Sequence, residues 1–346
     1  MEIQEHAPLA PLTTLGVGGP ARYLAEAHTE NEVGEALDFA REHGLPVFVL
    51  GGGSNLVVSD SGWPGLVLKM SIGGIAQREQ DGRVLFEAGA GVDWDTLVAC
   101  AVEENCAGVE CLSGIPGTVG GTPVQNVGAY GQDVSETIVN VRALELESRQ
   151  MREFSNAECG FAYRTSRFNT VDRGRFIVTR VTFALRPSGV PKIEYADLKK
   201  YFTGRTASPS LAETREAVRE IRLSKAMLIV EGDADARSAG SFFKNPVIDL
   251  KQFDHIVASA NGVAIPEYPA SEGKVKVPAA WLVEQSGMHK GFTLGRVGIS
   301  RRHALAIVNN GGATACEVIA LKEMIQQRVR ERFNVELQSE PVFAGF

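Results

Sequence analysis

Apolar and polar positions along the chain follow two different periods, and the switches between them mark the elements. In the stretch from His28 to Gly44, Val33, Leu37 and Ala40 recur at helical spacing. Thr29 and Glu32 stand where a capping box needs them, and Gly44 is placed to end the helix. PVFVL (46–50) then reads as a buried strand, GGGSN (51–55) as a tight loop and LVVS (56–59) as a second strand. Trp94, Leu97, Val98 and Ala101 share one face of a helix predicted over 93–104. GRFIVTRVTFALRPSG (174–189) reads as a strand closing a domain, with Pro187 and Pro191 at the boundary. Thr314 and Glu317 repeat the capping box ahead of Val318, Leu321, Ile325 and Val329, the buried stripe of a long helix. Strands follow strands too often for a regular βαβ wheel, so the class expected is α+β.

At 346 residues the chain exceeds what one hydrophobic core usually serves, so two or three domains are expected. Lys plus Arg is 35 against 42 for Asp plus Glu, a net charge of −7, which argues against nucleic acid or an acidic membrane surface as partner. The five cysteines fit no zinc spacing and read as reduced thiols, so no metal site is expected. MEIQEHAPLAPL lacks the pattern of a signal peptide, and no apolar run approaches the roughly 20 residues of a membrane span. A cytoplasmic, soluble protein is the expectation.

LGGGSN (50–55) is not the dinucleotide fingerprint, because the loop runs from a strand into another strand and not into a helix. Consecutive glycines still let backbone N–H groups converge on an anion; a sharp hairpin is the alternative. SGIPGTVGGTPVQNVGAYGQDVSE (113–136) is a long glycine-rich segment with almost no amphipathic pattern, the kind of loop usually kept for function. Gln125, Asn126 and Tyr130 add amides and a phenol suited to a flat heteroaromatic ligand with polar edges. Two such loops in one domain suggest a large phosphate-bearing cofactor pinned along its length. A third stretch, GSFFKNP (240–246), sets a hydroxyl, an ammonium and an amide beside two phenylalanines, with no histidine near the serine in sequence.

GGGSNLVVSD, IPGTVGGTPVQNVGAYG, FAYRTSRF, AGSFFKNP, KVPAAWLVEQSG, HALAIVN and SEP occur in this order, and together they resemble the UDP-N-acetylenolpyruvoylglucosamine reductase family of bacterial peptidoglycan synthesis. The resemblance runs from about residue 15 to the end. It implies an FAD-binding module of the vanillyl-alcohol-oxidase type in two subdomains, 1–70 and 71–226, with 335–346 returning to the latter, and a smaller α/β substrate domain over 227–334. FAD would be contacted by Gly51, Gly52, Gly53, Ser54 and Asn55 from the first loop. The second loop would add Ser113, Ile115, Pro116, Gly117, Gly120, Gly121, Gln125, Asn126, Gly128, Ala129 and Tyr130. KIEYADL (192–198) resembles the segment of the longer subtype whose tyrosine, here Tyr195, closes over substrate.

The reaction the resemblance implies reduces the enolpyruvyl ether of UDP-N-acetylglucosamine enolpyruvate to UDP-N-acetylmuramate, with NADPH reducing the bound FAD first. Hydride addition at the methylene carbon leaves an enolate that needs a cation and a proton on carbon. By the same resemblance Ser241 is the proton donor, acting as an acid and so needing no neighbouring base, while Lys244 and Lys225 are candidates to stabilise its alkoxide. Arg164 matches the residue that stabilises the enolate, with a planar fork suited to a carboxylate, and Glu340 assists. Tyr195, Lys225, Asn245 and His303 match positions that contact substrate; Tyr268, Lys276 and Lys290 join them on local chemistry. NADPH and substrate would take turns in one site of a monomer.

Two departures from the family pattern stand out. AMLIVEGDADARSAG (226–240) is longer and more acidic than in some members, and Glu231, Asp233 and Asp235 are expected to face solvent. Val342 stands where many members have arginine. The rival readings are an alcohol oxidase or hydroxy-acid dehydrogenase on the same module, and a nucleotide-sugar sensor on a degenerate reductase scaffold.

Overall fold

The computed structural model describes residues 1–260, 262–269 and 272–346. Contacts divide the chain into two units, one of residues 1–7, 21–53 and 64–224, the other of residues 8–20, 54–63 and 225–346. Strands and helices mix in both, as the α+β expectation has it.

In the first unit a four-stranded sheet has the order Ile3–Pro8, Pro20–Ala27, Trp63–Met70, Val47–Leu50. Its helix, Glu30–Glu42, opens with the Thr29–Glu32 capping box and buries Val33, Ala36, Leu37 and Ala40 beside Leu66 and Leu68. Gly44 follows at φ +61, its N–H donating to the Arg41 carbonyl. A larger antiparallel sheet centres on Phe176–Pro187, flanked by Ile138–Glu145 and Arg83–Gly89. The helix Trp94–Glu103 packs in this sheet's core, where the Trp94 ring lies 5.6 Å from that of Phe183. The Trp94 indole N–H donates to the Leu112 carbonyl at 3.0 Å, tying the entrance of the long glycine segment to the core. A fully buried side chain of this size contributes about 1.5–3 kcal/mol, enough to fix where that loop starts.

In the second unit Ser238–Ser241, Ala306–Asn309, Val297–Ile299 and Thr293–Leu294 form a sheet in that order. The helix Ala315–Phe333 starts with the Thr314–Glu317 capping box and buries Val318, Leu321, Ile325 and Val329. Phe242 and Phe243 are buried in the same core. The two rings of GSFFKNP are thus its anchor.

Two expectations are corrected and one alternative reading is excluded. Val47–Leu50 is an edge strand with only Leu50 buried and Val49 38% exposed, because among the described residues no strand pairs on its outer side. Val47–Leu50 and Leu56–Val58 do not form a hairpin around GGGSN: the first pairs with Trp63–Met70, the second with Val342–Ala344. That second pairing is parallel and groups residues 335–346 with 54–63 and 225–334 instead of with 71–226.

Candidate active site

In the first unit the two glycine loops touch. A Cβ added to Gly52 would stand 2.7 Å from Gly117 Cα, and one on Gly51 would stand 2.8 Å from Thr118 Oγ1. Gly121, exposed, has open space where a Cβ would be. The long segment is built of short turns, Val119–Gly121 and the paired Gly128–Ala129 and Gln132–Asp133. Asn126 and Tyr130 hold left-handed backbone at φ +46 and +48, a conformation that keeps such a loop irregular. The Asn126 side chain serves the fold: it donates to the Ala162 carbonyl at 3.0 Å and accepts from Ser135 N–H at 3.1 Å. Ser113, fully buried, donates to Glu110 O at 2.7 Å.

Arg164 also sits at positive φ, +56, in a sharp turn closed by Ala162 and Thr165. Its guanidinium donates to the Gly128 carbonyl at 2.6 Å, lies 3.8 Å from Asp133 and stacks 5.3 Å from the Tyr163 ring centre. A bulky residue held in this region is strained, and such strain collects at functional sites. Tyr195, 40% exposed, stands edge-on to Tyr130 with ring centres 5.4 Å apart. The candidate lid thus rests on the glycine loop.

In the second unit Gly240 takes φ +74 and sits in an irregular register between Ser238 and Ser241. A left-handed glycine in a bulge re-aims the residue after it, here Ser241. Ser241 Oγ lies 2.9 Å from His303 Nε2. The histidine is 62 residues away in sequence, so the fold supplies a neighbour that the local sequence around the serine does not show. Glu340 is joined to the residue that follows this strand, its N–H donating to the Phe242 carbonyl at 2.9 Å, and its own carbonyl accepts from Asn55 Nδ2 at 3.2 Å. The structure therefore brings Ser241, His303, Glu340 and Asn55 together.

Other candidates are less central. Asn245 Oδ1 accepts from Ala279 N–H at 2.9 Å, which caps the helix Ala279–Gln285. Lys276 Nζ lies 5.9 Å from the exposed Tyr268 ring, and Lys290 pairs with Glu284 at 3.6 Å. Lys225 and Lys244 are partly buried. Val342 lies in the strand beside Leu56 and carries no charge to replace an arginine.

Residues 21–149 match the family described as FAD binding domain, and residues 232–344 match the C-terminal domain of UDP-N-acetylenolpyruvoylglucosamine reductase. A UDP-N-acetylenolpyruvoylglucosamine reductase of Thermobifida fusca is 44% identical, over 98% of this chain and 97% of its own. One of Pseudomonas fluorescens is 38% identical over 99% and 98%. The crystal structure of the Thermus caldophilus reductase superposes with a TM-score of 0.67 at 26% identity, covering 99% of each chain. The chain belongs to the UDP-N-acetylenolpyruvoylglucosamine reductase family.

The FAD-binding match spans every position expected at the cofactor, and the local structure fits such a group: adjoining glycine loops, half-buried residues at 115–118 and an open side at Gly121. Ser241, His303 and Glu340 fall within the C-terminal match. Among the described residues, no group of three or more His, Cys, Asp or Glu is placed to hold a metal ion, and no helix is long and apolar enough to cross a membrane.

Sequence reasoning missed three supports of this site. Asp95 receives both guanidinium nitrogens of Arg215, at 2.5 and 2.9 Å, one of Arg219 at 2.6 Å and the Gly114 N–H at 2.6 Å. Burial pushes the Asp95 carboxyl up, but these partners outweigh it and hold it below the usual carboxylate value. Arg222, almost wholly buried, donates to the Gly114 carbonyl at 3.0 Å; burial lowers its pKa, opposed by Tyr130. Glu110, fully buried, binds the N–H groups of Gly108 and Lys192 and the Gln132 amide, holding the segment that carries Tyr195. The spacing of Arg215, Arg219 and Arg222 on one helical face was the visible signal for the first two.

The acidic segment corrects an expectation. Glu231 is exposed, but Asp233 and Asp235 are not turned to solvent: their side chains are 24% and 15% exposed. Both pair with Arg302, because the turn before His303 offers them that guanidinium and two further donors.

Proposed function

We propose that this protein is an NADPH-dependent flavoenzyme that reduces UDP-N-acetylglucosamine enolpyruvate to UDP-N-acetylmuramate. On this reading it acts in the cytoplasm as a monomer, in the peptidoglycan precursor synthesis that cell-wall biogenesis, cell shape and division depend on. The observation that carries the reading is the bulged strand at Gly240, which aims the Ser241 hydroxyl and runs into Phe242, whose carbonyl accepts from Glu340 N–H.

The glycine loops at 51–55 and 113–131 would hold FAD, which supplies the hydride when bound. The protein's own work is to stabilise what hydride addition leaves behind. Negative charge develops on the carbon bearing the carboxylate and spreads into that group. Arg164 offers a guanidinium anchored by its hydrogen bond to the Gly128 carbonyl, so less reorganisation is needed as the charge appears. Ser241 gives its proton to the carbon, a contribution of about 10²–10⁴-fold for a well-placed donor. Glu340 is held next to the serine strand and would help orient the enolpyruvyl group. Tyr195 would close on the nucleotide sugar, and Lys225, Asn245, Tyr268 and Lys276 would bind its polar groups.

The test is an anaerobic titration. The purified protein should show an oxidised flavin spectrum that NADPH bleaches and UDP-N-acetylglucosamine enolpyruvate restores. A flavin that stays bleached rejects the substrate, and absence of flavin after reconstitution with FAD rejects the reading altogether.

A further inference from the structure

The imidazole on Ser241 and the acidic segment that departs from the family pattern belong to one construction. A hydroxyl carries one proton, so the 2.9 Å contact between Ser241 Oγ and His303 Nε2 has a direction with chemical consequences. If Nε2 accepts, the serine proton lies on the line to the ring and is turned away from any carbon. If Nε2 donates, the serine proton is left for the substrate, and the alkoxide formed on its departure already has an N–H beside it.

The ring is held on its turn by the backbone and by the acidic segment. His303 N–H donates to Ser300 Oγ at 3.2 Å, and the His303 carbonyl accepts from Ala306 N–H at 3.2 Å. Ser300 is fully buried and donates its own proton to Asp235 at 3.2 Å. Asp235 also accepts from Arg301 N–H at 3.1 Å, and Arg302 bridges Asp233 and Asp235. The two aspartates therefore grip the turn through a hydroxyl, an amide and a guanidinium, all from residues 300–302. Their pairing is charge-assisted, the stronger class of hydrogen bond.

We propose that His303 positions the Ser241 hydroxyl and returns a proton to it after each turnover, and that Asp233 and Asp235 hold His303 in register for this. The proposal rests on the reading of Ser241 as proton donor. The Ser241 O–H bond breaks as the new C–H bond forms, leaving an alkoxide. The imidazolium Nε2–H bond then breaks as the Oγ–H bond re-forms, leaving a neutral ring. Solvent reprotonates Nε2, so one proton from water is consumed for each hydride delivered.

Anaerobic rapid mixing of the FAD holoenzyme, first reduced with NADPH, separates the outcomes. If wild-type reduced enzyme is not reoxidised by UDP-N-acetylglucosamine enolpyruvate, the reductase reading falls, and the relay falls with it for want of a carbon to protonate. With wild type active, His303→Gln keeps an amide near Oγ but cannot pass a proton. It is expected to slow reoxidation about 100-fold at saturating substrate while reduction by NADPH stays within about twofold. A wild-type limiting rate with only a raised substrate requirement would make His303 a substrate contact and overturn the proposal. Asp235→Asn is expected to show the same split at about tenfold; unchanged reoxidation there would remove the acidic segment from it. Nitrogen NMR of histidine-labelled wild type gives a readout independent of turnover and of whether the His303 variant folds. The His303 signal, assigned by its shift in Ser241→Ala, should show protons on both ring nitrogens in the reduced enzyme, and a bare Nε2 would refute the relay.

Discussion

At Gly52 an added Cβ would meet Gly117 Cα at 2.7 Å and Gly117 C at 3.0 Å, and both are backbone atoms that cannot rotate aside. Gly52→Ala must therefore part the two glycine loops, whereas Gly121→Ala meets nothing within 4 Å. The expected result is a loss of FAD affinity of about tenfold or more for Gly52→Ala, near the cost of a modest overpacking, and little change in packing for Gly121→Ala. Flavin fluorescence titration of the apoprotein measures both; equal affinity for wild type and Gly52→Ala would detach this loop contact from the cofactor. Ser241 allows an equally local test. Ser241→Ala should leave flavin reduction by NADPH nearly intact and slow reoxidation by about 10²–10⁴-fold. Equal slowing of both half-reactions would remove the proton-donor role. The serine and its family match were legible in GSFFKNP, but its partner was not. A strand pairing between Ser241 and Ala306 brings His303 to it across 62 residues, and local sequence carries no trace of that register.

Helix Leu211–Ser224 is joined to the FAD-side unit by charge as well as by its buried Leu211, Ala217 and Val218. Arg215 and Arg219 share Asp95, whose side chain is 23% exposed, and Asp95 also takes the Gly114 N–H at the entrance of the long glycine loop. Asp95→Asn would leave two guanidinium groups without their carboxylate, and breaking a partly buried pair in this way costs about 3 kcal/mol. Because the folded Asp95 pKa is held below its ordinary 3.8, this stabilisation is complete above 3.8 and is lost as pH falls through the depressed value. Urea unfolding at pH 6 should show the full difference between wild type and Asp95→Asn, and the difference should shrink below pH 3.8; a constant difference would mean the charge is not its source. At this scale much was legible. Both capping boxes, at Thr29 and Thr314, and both apolar stripes form as the periodicity predicts, since each signal lies within a single helix. PVFVL failed as a buried strand because burial depends on neighbours, and among the described residues Val47–Leu50 pairs on the Trp63–Met70 side alone.

The path of the chain through the two units was the least legible feature, because it is set by long-range strand pairing and not by composition. The chain passes between units at 7/8, 20/21, 53/54, 63/64 and 224/225, so neither unit is one continuous stretch. The C-terminal family match, 232–344, suggests a domain that could be cut out, but its core says otherwise. Leu15, Val17 and Val57 are fully buried among Phe242, Ile307, Val318 and Phe333. Asn309 Nδ2 donates to the carbonyls of Leu15 and Gly16 at 3.0 and 3.1 Å, and Asp60 accepts the N–H groups of Ala315 and Cys316 at the start of the long helix. Strand Val342–Ala344 pairs with Leu56–Val58. A fragment of residues 225–346 would expose the apolar surface that covers those side chains and leave one strand without its ladder. Each lost buried side chain forfeits about 1.5–3 kcal/mol, and three of them approach the whole stability of a small domain. The fragment is therefore expected to give no cooperative unfolding transition. Co-expression with residues 1–224, which carry 8–20 and 54–63, should restore one. A sharp transition from the isolated fragment would show that the second unit folds without the two N-terminal segments, and that the chain's repeated crossings serve the site and not the stability of this unit.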